Sequence, residues 1–413
     1  MLEGKFKRSD VKPIAPVIAF GSVTLSRWFV DQSRRISRRA LLSIAVGLLV
    51  GSVVLNFIVY TTYVHTFFGH NDFRLYYAGA EVGLRYGWSQ IYDIKLHQAA
   101  VAALEPVGPW YALLTPAPIT WIVAPLTLLG YPTAYWVWVT LSLALFGAAA
   151  WYARPRHVSA PVYFIWWAAL GPLWFSAYEG QVTILAAAGV LAGWRLLETR
   201  HEFVAGVILA AALFKPHLIL LLPLALLVSG RYRALLGFMA VAVVAGAGML
   251  LTLHLDGIQG YLATLLAPQP IGDTAKTLRS SLHGGPAVLA IQAAVVLAVI
   301  GVALRARRTR AAWPVIVSAV AGSFLLATYW HPQDYLVLDA AAAIVLAAAP
   351  LEVGVVVAIA AAVVSVFVSP LNSHQATVAW LLFAITLVGF LGVRSLMRLR
   401  SPVLSELEAR PTG

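Results

Sequence analysis

The sequence predicts an all-α, polytopic membrane protein with about twelve transmembrane helices. Three observations carry this. Of 413 residues 61% are hydrophobic and only 11% are charged, where a water-soluble domain carries about 25% charged residues. Apolar runs recur from Leu41 almost to Arg394 with no convincing strand pattern among them. The basic residues stand in short clusters between those runs, as cytoplasmic loops do. That clustering also turns the net charge of +12 away from nucleic acid and toward membrane topology. With no cysteine, disulfides, thiolate nucleophiles and Cys-ligated metals are excluded.

The chain divides into a basic cytoplasmic tail (1–40), one membrane-embedded domain (41–394) and a second cytoplasmic tail (395–413). The first tail carries Lys5, Lys7, Arg8 and Lys12, with an interfacial segment at most over Pro13–Val30 and no cleavable signal peptide. The first span, about Leu41–Thr62, follows Arg34, Arg35, Arg38 and Arg39, so the N-terminus is cytoplasmic. The long first external loop (63–130) contains a polar stretch, about Tyr63–Trp110. Its many aromatics suggest short helices lying on the membrane surface. A loop of that length without a domain of its own is usually functional.

Two apolar runs follow, Leu113–Leu129 and Thr133–Tyr152. If both cross, Arg154 and Arg156 land outside and disagree with later basic clusters. If the proline-rich first run (Pro116, Pro118, Pro125) stays interfacial, every cluster falls inside: Arg195/Arg200, Arg231/Arg233, Arg305–Arg310 and Arg394–Arg400. The second solution is adopted. The remaining spans are about Pro161–Phe175, Val182–Leu197, Phe203–Phe214, His217–Val228, Ala234–Leu253, Pro286–Leu304, Ala312–Thr328, Leu336–Ala349, Val353–Val368 and Thr377–Val393. Several have only 12 to 15 apolar residues, under the ~20 needed to cross, as helices beside a cavity often do. The external connections then include Ser176–Gln181, the Lys215–Pro216 apex, His254–Gly285, Tyr329–Tyr335 and Ser369–Gln375.

The external side collects nearly all polar residues beyond arginine, so a reaction centre faces outward. No phosphate-cradling glycine loop follows a strand, so a nucleotide-activated substrate is not indicated. Asp72, in His70-Asn71-Asp72-Phe73-Arg74, reads either as a helix cap or as a general base at the membrane surface. Lys215 interrupts the apolar run Ala211–Leu220, where a charge defaults to a functional hypothesis. At the apex of a short helical hairpin it could hold an anionic phosphate; the alternative is a snorkelling lysine. His331 and Asp334 lie in Tyr329-Trp330-His331-Pro332-Gln333-Asp334-Tyr335, and an interfacial aromatic belt accounts for the Tyr and Trp but not for them. An H-x-x-D pair alone is weak evidence of a metal. Asp339 is a second intramembrane acid. Lys276, Arg279 and His283 either contact a phosphate or form a solvated loop. Glu179-Gly180-Gln181 is a cavity wall or a plain turn.

Taken in order, several pieces resemble glycosyltransferase family 87, the polyprenyl-phosphate-mannose-dependent mannosyltransferases, within the glycosyltransferase-C superfold. They are Asp72-Phe73-x-x-Tyr76-Tyr77-Ala78, Ile91-Tyr92-Asp93, Thr115-Pro116-x-Pro118, Pro125-Leu126, Gly180-Gln181, Ala205-Gly206, Phe214-Lys215-Pro216 and His331-x-x-Asp334. The family often has Ser-Pro before this histidine, where Ala327-Thr328 stand here. The resemblance implies an inverting transfer of a sugar, mannose first, from a polyprenyl-phosphate-mannose donor to a hydroxyl of a lipid-linked or glycan acceptor. It implies Asp72 as the catalytic base, with Lys215 and Arg279 or Lys276 meeting the phosphate charge. His331 would position acceptor or phosphate, and His217, Gln181, Asp334, Arg74 and Tyr76 are further expected substrate contacts. The leaving group is already a phosphate, so the chemistry demands no metal and no cofactor. The implied location is the cytoplasmic membrane, with membrane lipids around the protein and the site on the periplasmic, external face. A lipid or glycan flippase would share the helices and charges but predicts an internal repeat and no long loop after the first helix. Another outward-facing lipid-linked glycan transferase, a polymerase or ligase, is the second alternative.

Overall fold

The computed structural model describes residues 38–104, 110–267, 277–282, 284–368, 379, 381–389 and 391. Nearly all of the expected 1–40 tail, the 395–413 tail, Lys276, His283 and the Ser369–Gln375 loop lie outside them. The chain forms two compact units, Met1–Gly51 and Ser52–Gly413. Of the first, the start of helix α1 (Arg38–Phe67) is described. The second is helical throughout, and no strand occurs among the described residues.

After α1 come α2 (Phe73–Tyr86), α3 (Ile94–Leu104), the six-residue α4 (Pro118–Val123) and α5 (Tyr131–Ala153). Next are α6 (Ala160–Ala169), α7 (Gly171–Glu179), α8 (Thr183–Glu198), α9 (Glu202–Leu209), α10 (Leu222–Val228) and α11 (Tyr232–Leu266). The chain continues through α12 (Leu278–Ser281), α13 (Pro286–Thr309), α14 (Trp313–Leu326), α15 (Tyr335–Ala348) and α16 (Leu351–Val368).

Among the described residues, four helical stretches are long and apolar enough to cross a membrane: Val46–Tyr86, Tyr131–Ala153, Tyr232–Leu266 and Pro286–Thr309. This differs from the expected twelve. Pro118–Leu129, Ala160–Ala169, Glu202–Phe214, Pro216–Val228, Trp313–Leu326 and Leu351–Ser365 are apolar helices of only 10–17 residues. Two of the expected spans are instead the core of the bundle. α14 and α15 have 14 residues each, about 21 Å of helix against a hydrocarbon layer of about 30 Å. Val315, Ile316, Ala319, Leu336, Leu338 and Ala341 are 0% exposed. A helix apolar on every face belongs inside such a bundle.

Small residues set the closest crossings. A Cβ on Gly206 would strike the Ala234 carbonyl, and one on Gly237 would strike the Phe203 carbonyl. α9 and α11 therefore meet backbone to backbone, as small-residue interfaces allow.

The long polar loop differs from the surface helices expected of it. In α2, Phe73, Tyr76 and Tyr77 are at most 3% exposed and Arg74 is 1% exposed. The aromatics pack inward: Phe73 stacks on Tyr131 and Trp138 of α5. Leu113–Leu129 resolves into α4 and a 3-10 turn, Ala124–Leu129. Pro125 near the start of that turn has no N–H to extend the ladder. The expected loop from His254 onward is also helical at first. His254 takes a left-handed φ of 55° inside α11, and a second helical stretch runs from there to Leu266.

Candidate active site

The α1–α2 junction decides where Asp72 points. The Asn71 side chain accepts from the Arg74 backbone N–H at 3.3 Å and from the Tyr131 hydroxyl at 3.0 Å. Asn71 thus performs the capping, and Asp72 makes no side-chain cap hydrogen bond. The cap reading of Asp72 is set aside, and its carboxylate is left facing a cavity of about 510 Å³.

α7 brings two more side chains to that carboxylate. Gly180 ends the helix at φ 60°, and its N–H donates back into the last turn. Trp138 Nε1 donates to the Gly180 carbonyl at 2.7 Å and fixes the reversal. Glu179 and Gln181 stand on either side of it. Glu179 Oε2 accepts from the Asp72 backbone N–H at 2.9 Å. Gln181 Nε2 donates to Asp72 Oδ2, while Gln181 Oε1 accepts from the Tyr76 hydroxyl at 3.0 Å. The chain Tyr76 to Gln181 to Asp72 fixes which end of the amide faces the acid. It occupies one carboxylate oxygen and leaves Oδ1 for a ligand. Burial first, then the Asp72 charge, push Glu179 well above the usual carboxylate range, against the opposing pull of its hydrogen bond and of Arg74 and Lys215.

The same cavity is lined by Lys215, His217 and His331. Lys215 follows the 3-10 turn Ala210–Phe214 and precedes Pro216, which forces it out of helical geometry (φ −134°, ψ 74°). Its Nζ lies 2.6 Å from Asp334 Oδ1. Asp334 is 0% exposed and also accepts from Thr183 Oγ1 (3.1 Å) and the His331 backbone N–H (2.9 Å). His331 and Asp334 cap the turn Pro332–Asp334 reciprocally. His217 Nε2 is 3.9 Å from Asp334 Oδ2, and the His217 ring packs against Tyr329. Burial alone would raise the Asp334 pKa. Lys215, then His217 and His331, outweigh it and hold the carboxyl well below the usual range.

A model of glycosyltransferase family 87 matches residues 114–351, over half the chain. The chain belongs to glycosyltransferase family 87. Searches of curated proteins and of solved structures find no match. As a family 87 member it is a glycosyltransferase, which acts on a donor and an acceptor. The matched segment carries Gln181, Lys215, His217, His331 and Asp334, whereas Asp72 and Tyr76 lie N-terminal to it.

Asp72, Tyr76, Gln181, Lys215, His217 and His331 line one cavity, although they come from separate parts of the chain. Three expected substrate contacts are placed differently. Asp334 lies beneath the wall as the counter-ion of Lys215 and is absent from the lining. Arg74 is buried, its Nη1 donating to the Gly69 carbonyl at 3.1 Å, because α2 turns that face inward. Arg279 is exposed on α12 and does not line the cavity, so Lys215 is the lysine or arginine on the wall, with the imidazoles of His217 and His331 near it. Lys276 lies outside the described residues. Asp339, buried in α15, accepts from Ser365 Oγ at 3.2 Å and belongs to the core. Sequence reasoning read Glu179 only as a cavity wall or part of a plain turn, and it assigned no role to Gln333 or to the wall tyrosines Tyr111 and Tyr261. For Glu179 the signal was present, an acid next to a glycine between two apolar helices.

Proposed function

We propose that this glycosyltransferase moves mannose from a polyprenyl monophosphate to a hydroxyl of a lipid-linked or glycan acceptor on the external face of the cytoplasmic membrane, with inversion. The observation that carries this reading is the cavity lined by a held carboxylate, Asp72, and by Lys215, His217 and His331. Asp72 Oδ1 takes the proton of the acceptor hydroxyl as its oxygen attacks the anomeric carbon. The bond from that carbon to the phosphate oxygen breaks, and the phosphate leaves with the electron pair. Charge grows on the phosphate as it departs, which Lys215 on the cavity wall favours most at that stage. Asp334 anchors this wall: it holds Lys215 in place and keeps two imidazoles beside it. The phosphate is an adequate leaving group beside Lys215, so the chemistry does not demand a metal. The outward orientation rests on the basic clusters of the sequence.

The test is transfer from polyprenyl-phosphate-mannose into a membrane lipid extract by purified wild type and Asp72→Asn. Loss of about 10²-fold or more is expected, the usual worth of a general base. Full transfer by Asp72→Asn removes the base assignment. Transfer from a nucleotide sugar alone removes the polyprenyl donor, and a Cys at position 156 labelled from outside reverses the orientation.

A further inference from the structure

Beside Asp72 stands a second acid that takes no part in that scheme. Glu179 Oε2 accepts from the Asp72 backbone N–H at 2.9 Å. Its other oxygen, Oε1, has no hydrogen-bond partner among the described residues, and unlike Gln333 Oε1 on the same cavity it is not enclosed by protein. Glu179 is half-buried and lines the cavity, so Oε1 opens into it. The carboxyl is aimed by rigid backbone. Trp138 holds the Gly180 carbonyl directly after it, and the Tyr135 hydroxyl lies 3.1 and 2.9 Å from the Ala177 and Tyr178 carbonyls just before it.

Two neighbouring carboxyl groups repel when both are ionised, so together they retain a proton. Their hydrogen bonds differ. Gln181 Nε2 donates to Asp72 Oδ2, which suits an ionised oxygen, whereas no described group donates to Glu179 Oε1. The cations near Glu179 are engaged elsewhere: Lys215 Nζ with Asp334 Oδ1, and Arg74 Nη1 with the Gly69 carbonyl. Asp72, Arg74 and Lys215 are the charged groups that act on Glu179, and Tyr76, Tyr135 and Tyr178 are the other titratable groups near it. The raised pKa of Glu179 agrees with a proton on this residue. A protonated carboxyl donates one hydrogen bond, which an ionised one cannot.

We propose that Glu179 contacts the substrate as a neutral acid, its Oε1–H donating to an oxygen of the acceptor beside the hydroxyl that Asp72 deprotonates. This deepens the proposed function and rests on it. Glu179 keeps its proton throughout, and the proton of the attacking hydroxyl goes to Asp72 alone. The acceptor that suits the pair carries a second oxygen near its attacking hydroxyl, as a polyol does.

The experiment compares purified full-length wild type with Glu179→Gln and Glu179→Leu. Infrared difference spectroscopy at neutral pH is expected to show the carbonyl stretch of a protonated carboxyl in wild type that Glu179→Gln lacks. No such difference means an ionised Glu179 and overturns the proposal. In transfer from polyprenyl-phosphate-mannose to a membrane lipid extract, Glu179→Leu is expected to lower kcat/KM for the acceptor about tenfold or more, and Glu179→Gln, whose amide N–H donates in place of the acid, to recover most of that loss. A folded Leu variant as active as wild type overturns the contact, a Gln variant no better than the Leu one overturns the donated hydrogen bond, and a loss confined to the KM of the donor overturns the acceptor assignment. The pH profile excludes a purely structural hold on the Asp72 N–H, which ionised Glu, neutral Glu and Gln all provide. Wild-type transfer should fall as rising pH removes the infrared band, and Glu179→Gln should not share that fall; equal profiles across that range overturn the proposal. Should the Leu variant not fold, the band and the Gln profile decide. If no form moves sugar from polyprenyl-phosphate-mannose, the band still decides whether Glu179 is neutral, and it is the proposed function that fails.

Discussion

Lys215 and Asp334, 119 positions apart, meet at 2.6 Å with side chains 8% and 0% exposed. Removing one partner of a buried pair strands the other charge, which costs about 3–5 kcal/mol. Asp334→Asn and Lys215→Met are each expected to lower the thermal midpoint in detergent sharply and to abolish transfer. The double variant Lys215→Met with Asp334→Leu recovers most of the stability, since an apolar pair replaces an ionic one, yet stays inactive. A double variant no more stable than either single change would contradict the pairing as the source of the effect.

Gln181 orients Asp72 and is itself oriented by Tyr76. Tyr76→Phe frees the amide to rotate, so kcat is expected to fall about tenfold, roughly 1.4 kcal/mol, with KM little changed. Gln181→Ala has the larger effect because Asp72 then loses its donor. Steady-state kinetics separates the two parameters, and a raised KM with unchanged kcat speaks against an orienting role.

Gly180 is required on two counts. Its φ of 60° disfavours any residue with a side chain, and a Cβ there would sit 2.7 Å from the Phe73 Cβ. Gly180→Ala is expected to cost about 1–3 kcal/mol of stability and to reduce kcat by displacing Glu179 and Gln181 together. Wild-type unfolding and kinetics in this variant would show that the turn tolerates another geometry.

His97 makes stability depend on pH. Its Nε2 lies 3.0 Å from the Leu75 carbonyl, and Trp110 Nε1 donates to its Nδ1 at 3.3 Å, an arrangement that suits the neutral ring. Burial chiefly lowers its pKa to about 4, from about 6.5 when unfolded. Between those values the unfolded chain binds the extra proton. The stability from neutral His97 is therefore present above about pH 6.5 and lost as pH falls toward about 4. The melting midpoint should drop across that window and drop less in His97→Gln; equal slopes would exclude His97 as the cause.

Much of the site was readable in the sequence for a simple reason. Lys215 is a charge in an apolar run, which stands out whatever the tertiary structure, while Asp72 and His331 sit in polar stretches and were singled out by their place among the ordered family pieces. What the sequence could not show is which of them touch. Asp334 reads as a substrate contact until α15 and the Lys215 turn are seen to meet. Arg74 reads as a substrate contact until α2 is seen packed against α5. Arg279 looks like a phosphate ligand by charge alone. The fold was legible as helical and membranous, but hydropathy gives apolar length and not neighbours. It does not separate a helix buried in protein, such as α14 or α15, from one facing lipid.

The break at His254 acts as a ruler. From Tyr232 to Leu253, α11 runs for about 22 residues, or about 33 Å at 1.5 Å per residue, close to the depth of the hydrocarbon layer. Under the proposed function, the stretch beyond the break, which carries Tyr261 and Leu265 into the cavity wall, would stand at the level of the lipid headgroups. A phosphate on a lipid anchor already rides at that depth. Such a substrate would reach the cavity by sliding sideways in its own leaflet, with its chain never leaving the hydrocarbon.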